Sequence, residues 1–429
     1  MVRKERRPRK RRRWLPRLRP LAGRRLPKEL RAENVGRLAA ALPDGLRDPG
    51  FEALLTRIET SPVLSGNRVT VFTDGTEAFA SMLEAIDGTA TEVLLEAYIL
   101  RDDETGQAFR DALGRAAERG AAVRVLTDGF GSSETSEAFW DSLRVRGADA
   151  RIFHPLLARF WDFAFRDHRK LLVVDRRIGF TGGMNIGVEY GSSRRSARRA
   201  KGHAWRDTQV RVEGPTAWEM AVVFGEGWER SDGPPLDLGP LTAVEAPGAR
   251  IVTLDTRPGR GTDEMVSTLT AIVAAARKRV WITSAYFAPR ASAIERLHAA
   301  VRRGVDVRLL LPGISDVTLM RRAGRGYYAA LLESGVRVFE YRTAVLHAKS
   351  LLADDLVAVV GSANLDYRSL HFNAECNLVM LCPKTNAALA EAFEEDLAHS
   401  TEIRLAEWKR RPLLDRLGNR LARCLAPVL

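Results

Sequence analysis

Two short stretches of the chain carry the same reactive side chains at the same spacing. HRKLLVVDRRIGFTGGMNIG begins at His168, HAKSLLADDLVAVVGSANLD begins at His347, and the two overlay without a gap at an offset of 179 residues. His168 then falls on His347, Lys170 on Lys349, Asp175 on Asp354, Gly182 on Gly361 and Asn185 on Asn364. Imidazole titrates near neutral pH, so it suits both attack on an electrophile and proton transfer. Two lysines and two asparagines beside two histidines make a pocket rich in cations and hydrogen-bond donors. Such a pocket fits a phosphoryl group and the negative charge that develops on it during reaction, with one histidine attacking and the other shuttling a proton. Nothing in this set requires a metal or another cofactor.

The local elements set which of these groups can converge. Each histidine and lysine stand two apart at the start of an apolar strand, so both project from one face. Asp175 and Asp354 lie seven residues beyond their histidines, on the other face of a straight strand, which suits a supporting role better than direct attack. Gly182-Gly183 and Gly361-Ser362 permit tight backbone passage, after which Asn185 and Asn364 can return an amide to the same pocket. His154, His203, His298, His371 and His399 have no such repeated context and are assigned no role.

A second echo precedes each motif. EVLLEAYIL and RAAERGAAVRVLTDG in the first half resemble RVWITSAYFAP and HAAVRRGVDVRLLLPG in the second. The β-branched runs Val93–Ile99, Val123–Thr127, Val280–Tyr286 and Val307–Leu311 read as strands, with helices over Gly106–Arg119 and Ala293–Arg303. The expected fold is therefore α/β: two pseudo-twofold lobes, each a mixed, mostly parallel sheet flanked by helices. Pro- and Gly-rich composition sets a linker at 233–261, with lobes at 31–232 and 262–429 and the site on the axis between them. Leu414, Leu417, Leu421 and Leu425 mark an amphipathic C-terminal helix, whose leucines are expected to pack on their own lobe while Arg416, Arg420 and Arg423 face away, a composition that also suits a helix lying at a membrane interface.

Charge and composition narrow the partners. The 429 residues carry a net charge of +13, but residues 1–25 alone hold 11 Arg, 2 Lys and one acid, leaving the remainder close to neutral. A basic, disordered tail over 1–30 suits an anionic membrane surface first, with a solvated run or nucleic-acid binding as the alternatives, whereas the neutral body argues against a nucleic-acid groove. No apolar run approaches the roughly 18 residues of a membrane-spanning helix, and no secretory signal is evident, so a peripheral, cytosol-facing protein is expected. Cys376, Cys382 and Cys424 form no metal-binding or disulfide pattern. The aromatic run Phe160–Phe165 just before His168 suits either an acyl groove or a packed core.

The doubled H-x-K-x4-D followed by G-[GS]-x-N resembles the phospholipase D superfamily. EAYIL, FRDHRKLLVVD, FTGGMNIG, WRDTQVRVEGP, ITSAYFAP and LHAKSLLADD extend the resemblance to its bacterial cardiolipin synthase branch, from about Asn67 to Leu429. That resemblance implies a phosphatidyltransferase that joins two phosphatidylglycerol molecules and releases glycerol through a phosphatidyl-histidine. It makes His168 the nucleophile and His347 the acid and base; Lys170, Lys349, Asn185 and Asn364 hold the phosphate oxygens, while Asp175 and Asp354 support the structure. Glu375, in FNAECN, matches an acid often found in the second half of the family. It implies no cofactor and no obligatory protein partner. Hydrolysis of phospholipids, transfer to another alcohol, and nuclease action are the alternatives such a site leaves open.

Overall fold

The computed structural model describes residues 34–58, 61–153, 165–191, 205–241, 247–256 and 262–426. The 1–30 tail, all but Phe165 of the aromatic run, and linker positions 242–246 and 257–261 lie outside the described residues.

The first half forms β1 (Leu64–Phe72), β2 (Glu92–Ala97), β3 (Ala122–Asp128), β4 (Asp149–Phe153), β5 (Lys170–Val174), β6 (Ile178–Gly182), β7 (Trp205–Arg206) and β8 (Gln209–Glu213). The second half forms β9 (Ala249–Thr256), β10 (Arg279–Thr283), β11 (Phe287–Ala288), β12 (Asp306–Pro312), β13 (Arg337–Tyr341), β14 (Val345–Leu346), β15 (Ser350–Ala353), β16 (Val357–Gly361), β17 (Leu365–Asp366), β18 (Glu375–Leu381) and β19 (Ser400–Ile403). Fifteen of these strands hydrogen-bond in one run, β19-β13-β12-β10-β15-β16-β18-β9-β1-β8-β6-β5-β2-β3-β4. The order reads alike from both ends: β4-β3-β2-β5-β6-β8-β1 repeats as β13-β12-β10-β15-β16-β18-β9. The halves meet where β1 and β9 pair antiparallel, Leu64 opposite Ile251.

The two-lobed α/β architecture matches the expectation, but the balance of strand directions differs from it. Within the fifteen-stranded run, parallel pairing is confined to β2-β3-β4 and β10-β12-β13, where helices carry the crossover. The motif strands run antiparallel, β5 with β2 and β6, β15 with β10 and β16. Their connections, Asp175–Arg177 and Asp354–Leu356, are too short for anything but a hairpin.

Alternation along the strands sorts the apolar side chains into three cores. Leu94, Leu171 and Val173 face a middle core shared with Leu310, Val360 and Phe393 of the other half. Their neighbours Val93, Leu172 and Val174 face an outer core under the first-half helices. With both faces covered, the central strands can carry unbroken apolar runs, as LLVV in β5 and VAVVG in β16 do.

Two boundaries move, and one helix faces the other way. Ala249–Thr256, placed in the linker, is β9 and pairs along its length with β18. The helices Val35–Ala41 and Pro49–Ile58, assigned to the first lobe, bury Leu42, Phe51 and Leu55 in the outer core of the second half, with Val252, Ile272 and Val280. The helix Leu413–Leu425 is present, but its leucines are exposed and Asn419 and Ala422 form its buried side.

Candidate active site

Both histidines are fixed to the opposite half through the backbone. His168 N–H donates to the Ala374 carbonyl at 2.9 Å, and Ala374 N–H returns to Arg166 at 2.8 Å. In the equivalent place His347 N–H donates to Arg206 at 2.8 Å, where β14 pairs with β7. The residue after each of these acceptors is acidic, and its carboxylate meets the histidine. Glu375 lies 2.9 and 3.1 Å from His168 Nδ1, and Asp207 lies 2.6 Å from His347 Nδ1. All four side chains are buried.

A carboxylate can only accept, so it selects the tautomer with the proton on Nδ1 and leaves the Nε2 lone pair available. Burial favours the neutral imidazole at both positions. It pushes His168 down to about 4, with Lys170 and Lys349 adding to the effect against Glu375. His347 is also lowered, by burial and then by Lys349. Burial alone would raise Glu375 and Asp207, but the cationic groups around them hold both below the usual carboxylate range.

The lysines follow their histidines. Lys170 Nζ donates to the His168 carbonyl at 2.7 Å and lies 5.2 Å from the Tyr98 ring, whose centroid is 4.9 Å from that of His168. Histidine and lysine thus share a face, as their spacing requires. Lys349 Nζ lies 2.9 and 3.0 Å from the ring nitrogens of His347. Burial lowers Lys170 to about 7 and Lys349 to about 8; each lysine also feels the acid of the opposite half, and Lys349 contributes to the lowering of Lys170. The two motifs therefore share one low-dielectric pocket.

Asn185 and Asn364 are buried at matching places. Their side-chain oxygens accept from Ile99 N–H at 3.3 Å and Tyr286 N–H at 3.2 Å, pinning the loops after β2 and β10. The Asn185 amide donates to the Tyr190 hydroxyl at 2.7 Å, and the Tyr190 ring lies 5.5 Å from His347. Trp205 and Tyr286 flank His347 as well, at 5.0 and 6.4 Å.

The aspartates of the motif stay out of the pocket and hold turns at the far ends of the motif strands. Asp175 closes the β5-β6 turn at the far end of the strand, some seven residues or roughly 20 Å from His168. It accepts from Ala90, Thr91 and Glu92 N–H groups and from the Thr89 and Thr91 hydroxyls at 2.8 to 2.9 Å. Asp354 does the same for Arg277, Lys278 and Arg279 N–H. Both sit in the left-handed region, φ 51° and 50°, which aspartate tolerates better than most residues. These N–H bonds outweigh the burial of Asp175 and hold its carboxyl down to about 2.

The glycines of the motif answer to close approach. A Cβ on Gly361 would lie 2.4 Å from the Cys376 carbonyl oxygen, and one on Gly183 would lie 2.1 Å from Asp207 Oδ1. Gly183 therefore makes room for the carboxylate that meets His347. Asp207 carried no assignment from sequence. The signal for it is the match of RDTQV with AECNL, but this runs at an offset of 168, so the gap-free overlay of the motifs passes over it.

A family model described as cardiolipin synthase, PLD-like domain, matches residues 82–193 and 269–397, more than half of the chain and both motifs. The chain belongs to this family. Among cardiolipin synthase relatives, the enzyme of Halalkalibacterium halodurans is 33% identical over 383 residues, covering 88% of this chain and 75% of the relative. Cardiolipin synthase A of Pseudomonas aeruginosa is 34% identical over 397 residues, covering 91% and 79%. The phosphatidylserine synthase of Haemophilus influenzae superposes with a TM-score of 0.68 at 14% identity, over 88% of this chain and 98% of that one, which establishes the shared fold.

Proposed function

We propose that this protein is a phosphatidyltransferase that makes cardiolipin from two phosphatidylglycerol molecules, working on a membrane surface to which it is peripheral. The observation that carries the reading is the pair of buried histidines, each held by a carboxylate of the other half and sharing two lysines, in a chain of the cardiolipin synthase family.

In the first step His168 Nε2 attacks phosphorus and the bond from phosphorus to the headgroup glycerol oxygen breaks. His347, protonated, gives its proton to the departing oxygen. Burial lowers His347 in the free site, and the phosphodiester anion supplies the negative charge that restores the imidazolium. Lys170 and Lys349 face the non-bridging oxygens, while Asn185 and Asn364 keep the loops around the phosphate in place. Glu375 balances the positive charge that His168 acquires in the phosphatidyl-histidine. In the second step His347 takes the proton from the terminal hydroxyl of a second phosphatidylglycerol. That oxygen attacks phosphorus, the bond to His168 breaks, and cardiolipin leaves. Asp175 and Asp354 act only by holding the hairpins that present the motifs.

Among the described residues no helix is long and apolar enough to cross a membrane; attachment from the cytoplasmic face is part of the same proposal. The near-neutral body disfavours nucleic acid as a substrate.

The test is product analysis by mass spectrometry after incubation with phosphatidylglycerol vesicles, beside His168→Ala and a single-stranded DNA substrate. Cardiolipin and free glycerol, both absent with His168→Ala, are expected. Phosphatidic acid alone would replace transfer by hydrolysis, and cleaved DNA with intact lipid would overturn the reading.

A further inference from the structure

The helix Leu413–Leu425 has the sequence LLDRLGNRLARCL. At about 100° per residue, Leu413, Leu414, Leu417, Leu421 and Leu425 fall within an arc of roughly 120°, with Arg416, Arg420 and Arg423 along one flank. An amphipathic helix in a globular protein ordinarily buries such a stripe. Here the stripe faces outward: Leu413 is 76% exposed, Leu414 83%, Leu417 54%, Leu421 60% and Leu425 48%. The side turned to the protein is Asn419 and Ala422, continued by Ala426.

Specific packing fixes this orientation. The helix approaches so closely at Gly326 that a Cβ there would lie 2.9 Å from both Arg423 Cβ and the Asn419 carbonyl oxygen. The Arg423 guanidinium stacks over Tyr327 at 4.4 Å. The neighbouring segment adds Ile314, Val317 and Leu319, all exposed, at the entry to the helix Thr318–Arg325. That entry reaches the site: Asp316 accepts from the Tyr286 hydroxyl at 2.6 Å, and Tyr286 flanks His347. An apolar face of this extent has a partner.

We propose that the helix Leu413–Leu425 docks the protein on an anionic lipid surface, its leucines entering the acyl boundary and Arg416 and Arg420 meeting lipid phosphates, while Arg423 anchors the helix through Tyr327 and the Gly326 carbonyl. The choice of a lipid occupant rests on the function proposed above and on charge: the flanking arginines have the sign that anionic headgroups attract, as do the eleven arginines of residues 1–25. A second copy fits less well, because antiparallel twofold pairing of this helix would set the arginine flanks against each other.

The experiment compares the full chain with the triple variant Leu414→Gln, Leu417→Gln, Leu421→Gln. Flotation with mixed phosphatidylglycerol and phosphatidylcholine vesicles is measured at low salt and at about 0.5 M, where a Debye length of roughly 4 Å suppresses the contribution of exposed arginines. Turnover of phosphatidylglycerol in detergent micelles, the thermal midpoint and the mass in solution are recorded for both proteins. At high salt the variant should bind vesicles on the order of 100-fold more weakly, with micellar turnover and thermal midpoint unchanged. Equal vesicle binding by both proteins overturns the proposal. So does a wild-type dimer that the variant turns into a monomer with no change in binding. A wild type that binds vesicles through this helix but turns over no lipid refutes the function and leaves the docking role standing.

Discussion

Glu375→Gln isolates the charge behind the attacking histidine. Glu375 is fully buried, meets His168 Nδ1 at 2.9 Å through one oxygen, and accepts from the Asn373 amide at 3.1 Å through the other. Glutamine keeps the shape and removes the charge. When His168 bonds to phosphorus its ring becomes cationic, and a carboxylate about 4 Å from the ring centre, at an effective dielectric of 20, is worth about 4 kcal/mol. That corresponds to about a 1000-fold loss in kcat. A tautomer effect acts in the same direction: the Asn373 donor draws the glutamine oxygen to itself, so the glutamine NH2 faces His168 Nδ1 and drives the ring proton to Nε2, the attacking atom. The assay is single-turnover release of glycerol from phosphatidylglycerol in detergent micelles, with the covalent intermediate followed by intact-protein mass. A fall of about three decades in the rate, with a near-normal KM and thermal midpoint, is expected. A variant within about 10-fold of wild type would refute a charge-supported nucleophile at His168.

The other expectations concern the remaining parts of the site. Asp207→Asn should slow both departure of the first headgroup and attack by the second lipid, which rapid-quench kinetics will separate; an unchanged second step would remove His347 as its base. Gly183→Ala should lower kcat with every titrating residue retained, because its Cβ displaces Asp207 from His347, and structure determination of the variant would show the shift. Because burial moves Lys170 to about 7 and Lys349 to about 8, their ammonium forms are lost as pH rises through that range. Accordingly kcat/KM should fall between pH 7 and 9, while His168, down to about 4, remains neutral to about pH 5; a profile flat to pH 10 would contradict the lysine clamp. Asp175→Ala should cost about 2 kcal/mol of stability by calorimetry and leave micellar kcat within a few-fold, a figure kept modest because the turn faces solvent. Its carboxyl is held down to about 2, so that stabilisation is complete above about pH 4 and fades as pH falls toward 2.

The sequence revealed those features that local spacing encodes. His168 with Lys170, and His347 with Lys349, share faces because a strand alternates, and the odd spacing of Asp175 and Asp354 sets them apart from the reacting groups. Strand direction was less legible: βαβ units exist at β2-β3 and β10-β12, but the hairpins at Asp175 and Asp354 reverse the chain and make most of the sheet antiparallel. Asp207 was hidden because the segments joining motif to acid differ in length between the halves. The docking of Val35–Ile58 on the second half, and the outward turn of Leu413–Leu425, depend on surfaces contributed by distant residues. Periodicity gives the apolar side of a helix and says nothing of what lies opposite.

The crossed pairing of histidines and acids has a bearing on inheritance. Each half carries one histidine and the acid that serves the other, so a crossover near residue 240 that joins halves from two relatives separates both dyads at once. Such a chimaera inherits intact sequence motifs and a mismatched set of contacts. Recombination between relatives should therefore succeed at loops within a half more readily than at the Pro- and Gly-rich boundary that looks most permissive. Changes around Asp207 and His347, or around Glu375 and His168, should be inherited as pairs lying far apart in the gene.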